Sequence, residues 1–216
     1  MTAEPPPSCC FDERAARNAA RARTRGIVAP VTRAFRNALE TQGLGGVTFL
    51  DVGCGVGDLA LAALRSGAAS ADGIDLGAGT IEQARTLAAE RGVADRATFS
   101  VGDGAVVPLA HHDVVALNRV LCCYPNVDDL LANSLGAAGS IYAYTAPIHT
   151  GPLGVLNRIN VAVSNAWFRL RAAKFRGFRA FVHDLDEVDR TIADAGFRLA
   201  IRRRSRIWRI AVFTRT

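Results

Sequence analysis

The sequence predicts an α/β fold in which helices cover a mostly parallel sheet. From residue 47 onward, short apolar segments alternate with helical ones, which is typical of βαβ units with right-handed crossovers. A glycine-rich turn follows the first apolar segment, and acids follow the next two. With 216 residues, 50% of them hydrophobic, the chain is long and apolar enough for one domain with a full core.

Two helices are predicted before the sheet, over residues 11–25 and 29–42. The second has Pro30 near its first position and Gly43 just beyond its end, where proline and glycine are favoured. We expect residues 1–44 to form an N-terminal helical cap over a ligand-binding domain that spans residues 45–216.

Seven strands are predicted within that domain. Five are expected over residues 47–51, 71–75, 97–101, 113–118 and 140–145, with helices over 57–66 and 79–91 and a third that begins at residue 126. Two closing strands over residues 197–201 and 207–214 are joined by an arginine-rich link, residues 202–206.

A segment of 37 residues, 147–183, interrupts this rhythm after the fifth strand. It contains no acid, and arginines alternate with tryptophan and phenylalanine along it. An insertion of this length predicts a lid with helical content. Asp184 and Glu187 have the spacing of a capping box, which predicts that the next helix begins there.

The glycine-rich turn reads V-T-F-L-D-V-G-C-G-V-G-D-L over residues 47–59. Gly53, Gly55 and Gly57 allow a tight turn and a close approach of a ligand to the backbone. The helix that follows offers free N–H groups to a polar or anionic group. Taken alone, the turn fits a dinucleotide site, a nucleoside site or plain packing.

Two later acids narrow these alternatives. Asp75 ends the second apolar segment, 24 residues after Asp51, where a carboxylate can accept hydrogen bonds from two ribose hydroxyls. Asp103 follows the third segment and can accept a hydrogen bond from an exocyclic amine. The competing interpretation of Asp75 is an acid in a surface loop.

On these residues the sequence resembles the class I S-adenosylmethionine-dependent methyltransferases. L-D-V-G-C-G-V-G is similar to the first motif of that family, G-I-D-L to the ribose-binding second motif, and V-G-D-G to the adenine-binding third. The resemblance implies a Rossmann-like three-layer sandwich with a seven-stranded, mostly parallel sheet. It also implies S-adenosyl-L-methionine as cofactor and no metal.

The resemblance implies a set of cofactor-binding residues: Asp51, Gly53, Gly55, Gly57, Asp75, Leu76, Asp103, Gly104, Asn118 and Arg119. Asp51 has two open interpretations. It either holds the amino end of the cofactor, directly or through water, or fixes the glycine turn through backbone N–H groups.

The segment R-V-L-C-C-Y-P after the fourth strand is similar to the magnesium-protoporphyrin methyltransferases, which have a hydrophobic-His-Tyr-Pro run here. Cys123 replaces that histidine, and Tyr124 is kept. With His149 at the start of the lid, these are the candidate catalytic residues. The Asn/Asp-Pro-Pro-aromatic motif of nucleic-acid amino-methyltransferases is absent, because Arg119 follows Asn118.

The sequence therefore predicts methyl transfer to an oxygen or nitrogen nucleophile on a small molecule, including a carboxylate on a planar aromatic or macrocyclic acceptor. An anionic, aromatic acceptor would suit the arginines and rings of the lid.

A thiol or metalloid acceptor is an alternative, suggested by the pairs Cys9–Cys10 and Cys122–Cys123. Adjacent cysteines point apart in an extended chain, which disfavours it. An RNA-binding methyltransferase-like protein is a further alternative.

Apolar run length, cysteine pattern and net charge limit the remaining classes of protein to which the chain could belong. No uninterrupted apolar run approaches the roughly 18 residues of a membrane span, and we expect no signal peptide and a cytoplasmic location. Five cysteines, four of them in adjacent pairs, do not match a secreted disulfide framework. The net charge of +6 allows an acidic partner but does not identify one.

Overall fold

A computed structural model describes residues 28–171 and 178–215 of the chain. The helix predicted over residues 11–25 and the Cys9–Cys10 pair lie outside these residues. Six α-helices are described: α1 (Pro30–Glu40), α2 (Asp58–Arg65), α3 (Ala78–Glu90), α4 (Val127–Gly136), α5 (Gly151–Leu170) and α6 (Leu185–Asp194).

The described part of the chain forms a seven-stranded sheet, as the sequence predicts. Its strands are β1 (Thr48–Val52), β2 (Ser70–Asp75), β3 (Ala97–Val101), β4 (His112–Asn118), β5 (Ala138–Pro147), β6 (Phe197–Ser205) and β7 (Trp208–Arg215). The strand order is β3-β2-β1-β4-β5-β7-β6, and β7 runs antiparallel to both of its neighbours. The prediction of a mostly parallel sheet is therefore confirmed.

Two hydrophobic cores show that the sheet is the middle of three layers. Helices α1, α2 and α3 pack on one face, where Phe35, Phe49 and Val114 belong to one cluster. Helices α4 and α6 pack on the other, where Leu131 and Tyr142 belong to a second cluster. Strands covered on both faces have no side that contacts solvent, so their residues are apolar without alternation, as in β1 and β4.

The strand order reverses direction between β1 and β4. Both strands pair in parallel, with Leu50 beside Val115 in the register. The connections after β1 and β4 therefore lead away from each other and leave a crevice at the carboxyl ends of the strands, where ligands bind in open α/β sheets.

The arginine-rich link predicted between the last two strands is wrong. Arg202, Arg203 and Arg204 belong to β6, and the chain turns later, at Arg206, which has a positive φ of 54°. Strand β6 is at the edge of the sheet and is largely exposed, so its pairing with β7 needs no apolar side chains. Positive charge on an edge strand also opposes pairing with another chain.

The predicted lid contains the 20-residue helix α5. Gly154 and Asn157 are its buried residues, and the Asn157 amide anchors it by donating to the carbonyl oxygens of Ile148 and Ile207 at 2.8 and 3.0 Å. Large apolar side chains stay exposed along it, namely Val155, Leu156, Ile159, Val163, Trp167 and Leu170. In the described ranges no helix is both long and apolar enough to cross a membrane.

The end of the lid segment returns to the sheet. The Phe181 N–H donates to the Cys122 carbonyl oxygen at 2.8 Å, and the Asp184 side chain caps α6 by accepting from the N–H groups of Asp186 and Glu187. The start of α6 is thus where the capping box predicts it. The return also places Phe178 beside the crevice at the carboxyl ends of the strands.

Candidate active site

A cavity of about 360 Å³ occupies the crevice at the carboxyl ends of β1, β2, β3 and β4. Nine of the ten predicted cofactor-binding residues line it, as do the catalytic candidates Cys123 and Tyr124; Gly57 and His149 do not. The nine are Asp51, Gly53, Gly55, Asp75, Leu76, Asp103, Gly104, Asn118 and Arg119.

The three glycines of the turn differ in the space that surrounds each of them. All have positive φ angles, of 72°, 54° and 80° for Gly53, Gly55 and Gly57. A Cβ atom on Gly53 would lie 2.3 Å from Val120 Cγ2, and one on Gly57 would lie 2.8 Å from Phe99 Cζ. A Cβ atom on Gly55 would have no atom of the described residues within 4 Å. Gly55 therefore faces the open cavity, whereas Gly57 allows close packing at the start of α2.

Alanine at two of these positions should separate binding from folding. Both substitutions introduce a positive-φ side chain, which costs about 1–2 kcal/mol of stability. Gly57→Ala should cost a further 1–3 kcal/mol, roughly, because of the collision with Phe99. Gly55→Ala should instead weaken binding of S-adenosylmethionine by roughly tenfold or more, about 1.4 kcal/mol. Calorimetric titration and thermal melting of both variants test this; equal binding losses with equal melting temperatures would contradict it.

Asp75 braces the glycine turn. It is buried at the end of β2, so the interpretation as an exposed loop acid is wrong. Its Oδ2 accepts a hydrogen bond from the Gly55 N–H at 2.8 Å, and its Oδ1 accepts from the Gly77 N–H at 2.9 Å and the Thr80 hydroxyl at 3.0 Å. Two carboxylate oxygens can accept about four hydrogen bonds, so capacity for a ligand remains on the cavity side.

Asp51 is the most unusual carboxyl group of the cavity. It is 1% exposed, its Oδ2 accepts from the Ala60 N–H at 3.3 Å, and its Oδ1 has no hydrogen-bond partner among the described residues. Burial raises its pKa to about 8, against the opposing hydrogen bond from Ala60, and the nearby Asp58 and Asp75 add to the rise. A buried acceptor without a donor is costly. A ligand ammonium group in the cavity would supply one.

Asp103 is held by Tyr124. The Tyr124 hydroxyl lies 3.0 Å from both carboxylate oxygens, and the Ala105 N–H donates to Oδ1 at 2.9 Å. Burial raises the pKa of Tyr124 well above its ordinary value, and the Asp103 carboxylate adds to this effect. The phenol therefore stays protonated and acts as a positioning donor. Its place among the catalytic candidates stays a prediction.

Asn118 and Arg119 connect the end of β4 to its surroundings. The Asn118 amide donates to the Thr32 hydroxyl of α1 at 3.0 Å, and its oxygen accepts from the Thr145 hydroxyl of β5 at 3.1 Å. Arg119 has a positive φ of 64°, and its guanidinium carbon lies 5.4 Å from the centroid of the Trp208 ring. Asn118 thus orders the cavity wall, and Arg119 brings positive charge to its edge.

Cys122 and Cys123 lie on a 3-10 helix (Leu121–Cys123), with their Sγ atoms 3.6 Å apart. Both thiols reach the Arg119 carbonyl oxygen, at 3.5 and 3.6 Å. The hydrogen bond to its neighbour and burial raise the pKa of Cys122. The hydrogen bond from Cys122 lowers the pKa of Cys123 despite burial, with the Arg119 charge contributing. Of the pair, Cys123 is the half-buried thiol that lines the cavity.

His149 is a structural residue, which corrects its place among the catalytic candidates. Its ring is buried away from the cavity. Nδ1 accepts from the Leu185 N–H at 3.3 Å, and Nε2 lies 3.2 Å from Asp184 Oδ1 and 3.6 Å from Asp186 Oδ2. The sequence could not show this, because the ring reaches across from the lid to the first turn of α6.

We expect His149→Ala to lower the free energy of unfolding by about 1–3 kcal/mol, since it leaves buried polar groups unpaired. Affinity for S-adenosylmethionine should stay within about threefold of the parent, because the ring is outside the cavity; differential scanning fluorimetry with and without ligand measures both. A loss of affinity for S-adenosylmethionine without a loss of stability would show that His149 belongs to the binding site.

Several cavity residues were missed by the sequence analysis. Thr32 comes from α1, Thr80 from the first turn of α3, and Phe178 from the return of the lid. Thr80 has a local signal, since a threonine five residues after Asp75 can reach its carboxylate. Thr32 and Phe178 have none, because their positions depend on how distant elements pack.

Comparison with known proteins agrees with this geometry. A family model described as "Methyltransferase domain" matches residues 49–135, which span β1 to α4. Ribosomal protein L11 methyltransferase from Chromobacterium violaceum is 38% identical over 112 residues, which are 52% of this chain and 36% of that protein. The corresponding protein from Actinobacillus succinogenes is 32% identical over 147 residues, 65% of this chain and 50% of that one. The chain thus spans about half or less of the length of these curated relatives.

Solved structures share the fold over most of the chain. A crystal structure of magnesium protoporphyrin IX methyltransferase from Synechocystis PCC 6803 with bound SAH superposes with a TM-score of 0.68 and 23% identity, covering 93% of this chain and 86% of that one. An O-methyltransferase family protein from Burkholderia thailandensis gives a TM-score of 0.68 at 18% identity, and the match covers 96% of this chain and 61% of that one. With its strand order, its glycine turn and the methyltransferase domain matched over residues 49–135, the chain is similar to the class I S-adenosylmethionine-dependent methyltransferases and shares their fold.

Proposed function

We propose that this protein binds S-adenosyl-L-methionine at the carboxyl ends of β1, β2 and β3 and transfers its methyl group to a small-molecule acceptor. The observation that carries the proposal is the convergence of Asp51, Asp75 and Asp103 on one cavity beside a glycine turn that is open at Gly55. Solved relatives of the same fold contain SAM or SAH.

Each carboxylate suits a different part of this cofactor. Asp75 has spare acceptor capacity for the ribose hydroxyls, and Asp103, oriented by Tyr124, accepts from the adenine amine. Oδ1 of Asp51, which has no hydrogen-bond partner in residues 28–171 and 178–215, fits the ammonium of the methionine part. The Gly55 turn lets the ligand approach the backbone. Leu76 and Gly104 complete the walls of the cavity.

The bound cofactor supplies a methyl group already activated on a sulfonium, so the residues of the chain mainly orient and desolvate the reactants. An acceptor would enter past Arg119, Cys123 and Phe178, which line the same cavity. Arg119 can pair with a carboxylate, and Phe178 offers a ring for stacking on a planar acceptor. Cys123 is the candidate base for a protonated acceptor, because its thiol lines the cavity and its pKa is lowered by Cys122.

Calorimetric titration with S-adenosylmethionine and S-adenosylhomocysteine tests the first half of this proposal. We expect binding of one equivalent of each; no heat at millimolar ligand would refute it. Turnover of methyl-labelled cofactor against a panel of phenols, amines, planar carboxylates and thiols then tests the acceptor class. Label found in none of these would reject a small-molecule acceptor.

A protein acceptor is the second candidate, because the curated relatives named above are ribosomal protein L11 methyltransferases. Purified L11 therefore belongs in the same assay as the small molecules. An RNA acceptor would instead be indicated by an affinity for RNA that falls steeply with salt concentration.

A further inference from the structure

The adjacent thiols Cys122 and Cys123 face each other, which the sequence did not suggest; Cys123 lines the cavity and Cys122 is buried behind it. In an extended strand, neighbouring side chains point to opposite faces. The 3-10 helix (Leu121–Cys123) instead turns both Sγ atoms toward the Arg119 carbonyl oxygen and brings them to 3.6 Å from each other. The geometric objection to joint binding of one ligand is thereby removed.

This spacing suits a single soft atom bound by both sulfurs. Two sulfurs at about 2.3 Å from a common centre lie about 3.5–3.8 Å apart when the angle between them is about 100–110°. A linear two-coordinate ion would need them about 4.6 Å apart at the same bond length. The observed 3.6 Å therefore favours a bent arrangement, as at a pyramidal or tetrahedral centre.

The number of protein ligands that the site offers distinguishes a pyramidal centre from a tetrahedral one. A tetrahedral zinc ion in a structural site takes four protein ligands. Across residues 28–171 and 178–215, the cluster of three metal-ligating side chains is His149, Asp184 and Asp186, and neither cysteine belongs to it. The pair thus supplies two thiols with no third protein ligand from the described residues. A pyramidal centre that already carries one carbon substituent needs two.

We infer that Cys122 and Cys123 form a dithiol site that binds monosubstituted trivalent arsenic compounds at the edge of the cavity. In the binding step an arsenic oxide, R–As=O, reacts with both thiols to give R–As(S–Cys)₂ and water. Two arsenic–sulfur bonds form, the arsenic–oxygen double bond breaks, and the oxygen leaves with the two thiol protons. Arsenic stays trivalent, so no oxidant or reductant is needed.

The surroundings of the two thiols support this step. Cys123 is half-buried and lines the cavity, so a compound in the cavity can reach it. The hydrogen bond from Cys122 and the Arg119 charge stabilise the thiolate of Cys123, which is the form that attacks. Cys54 lines the same cavity as a single, buried thiol and serves as a matched control.

Phenylarsine oxide is the probe for the test, on the full chain in a Cys9→Ala/Cys10→Ala background that removes the other adjacent pair. Intact mass should show one phenylarsenic group bound per chain, released by excess ethanedithiol and resistant to excess mercaptoethanol. Cys122→Ala and Cys123→Ala should each weaken binding at least 100-fold, whereas Cys54→Ala should leave it within about threefold. Cys123→Ser provides a second variant if the alanine protein melts early.

Binding that survives in Cys123→Ala, or no binding to the folded background protein, would overturn the inference. It does not rest on the proposed methyl transfer, because it concerns two thiols and one added compound. Titration of the same samples with S-adenosylmethionine keeps the two outcomes apart: the cofactor can bind where the arsenic compound fails, and the reverse.

Discussion

Asp51→Asn is expected to stabilise the ligand-free protein at pH 8 by roughly 1–3 kcal/mol and to weaken S-adenosylmethionine binding by about 10- to 100-fold. The stabilisation arises because asparagine removes a carboxyl group that must ionise in a buried site. The loss of binding arises because the neutral amide cannot form a charge-assisted hydrogen bond with the ligand ammonium.

The pH dependence follows from the same group. Burial raises the pKa of Asp51 in the folded protein to about 8, from an ordinary value of 3.8. A folded-state pKa above the unfolded one contributes stability that is complete below pH 3.8 and is lost as the pH rises to about 8. The loss is at most about 1.4 kcal/mol per pH unit. Thermal melting from pH 5 to 9 should show this slope in the parent and a shallower one in Asp51→Asn.

Binding of S-adenosylmethionine should remove the proton from the Asp51 carboxyl group. At pH 7 the Asp51 carboxyl is mostly protonated, and pairing with an ammonium group lowers its pKa, so binding releases close to one proton. Affinity should therefore increase up to about tenfold per pH unit between pH 6 and 8. Titration in two buffers of different ionisation enthalpy counts the proton. Release of an equal number of protons by Asp51→Asn would contradict the assignment.

Asp75→Ala should weaken cofactor binding by about 10- to 100-fold, corresponding to about 1.5–3 kcal/mol for hydrogen bonds to a charged group. The same change should reduce stability by about 1–3 kcal/mol, because Asp75 accepts from the Gly55 and Gly77 N–H groups and from Thr80. Calorimetric titration and thermal melting separate these effects.

Thr80→Val is the matched control for Asp75. It removes one of the three hydrogen bonds to Asp75 and keeps the carboxylate, so stability should fall while affinity stays within about threefold. A 2′-deoxy analogue of the cofactor sharpens the test: its binding deficit in the parent should largely vanish in Asp75→Ala, since the two losses concern one interaction. Strictly additive losses would show that Asp75 does not contact the ribose.

Local sequence was sufficient for most elements of the sheet. The five parallel strands lie within a few residues of their predicted bounds, because strands buried on both faces must be continuously apolar and are separated by turn residues. The cofactor end of the cavity was predictable for the same reason. Asp51, Asp75 and Asp103 each lie at or just beyond the carboxyl end of a strand, and parallel strands bring those ends to one edge.

Errors occurred where a neighbour in space changed the meaning of a residue. The arginines of β6 looked like a link, and their pairing with β7 makes them a strand. His149 looked like a base at the lid, and Asp184 and Asp186 make it an anchor for α6.

The sequence by itself determined the strand rhythm, the glycine turn and the three acids, because each depends on residues close together in the chain. Tertiary structure alone decided that Oδ1 of Asp51 has no partner within the described part of the chain, that Thr32 and Phe178 reach the cavity, and that two adjacent thiols face one another. The physical reason is that burial and hydrogen-bond partners come from elements far apart in the chain, and these set both pKa and access.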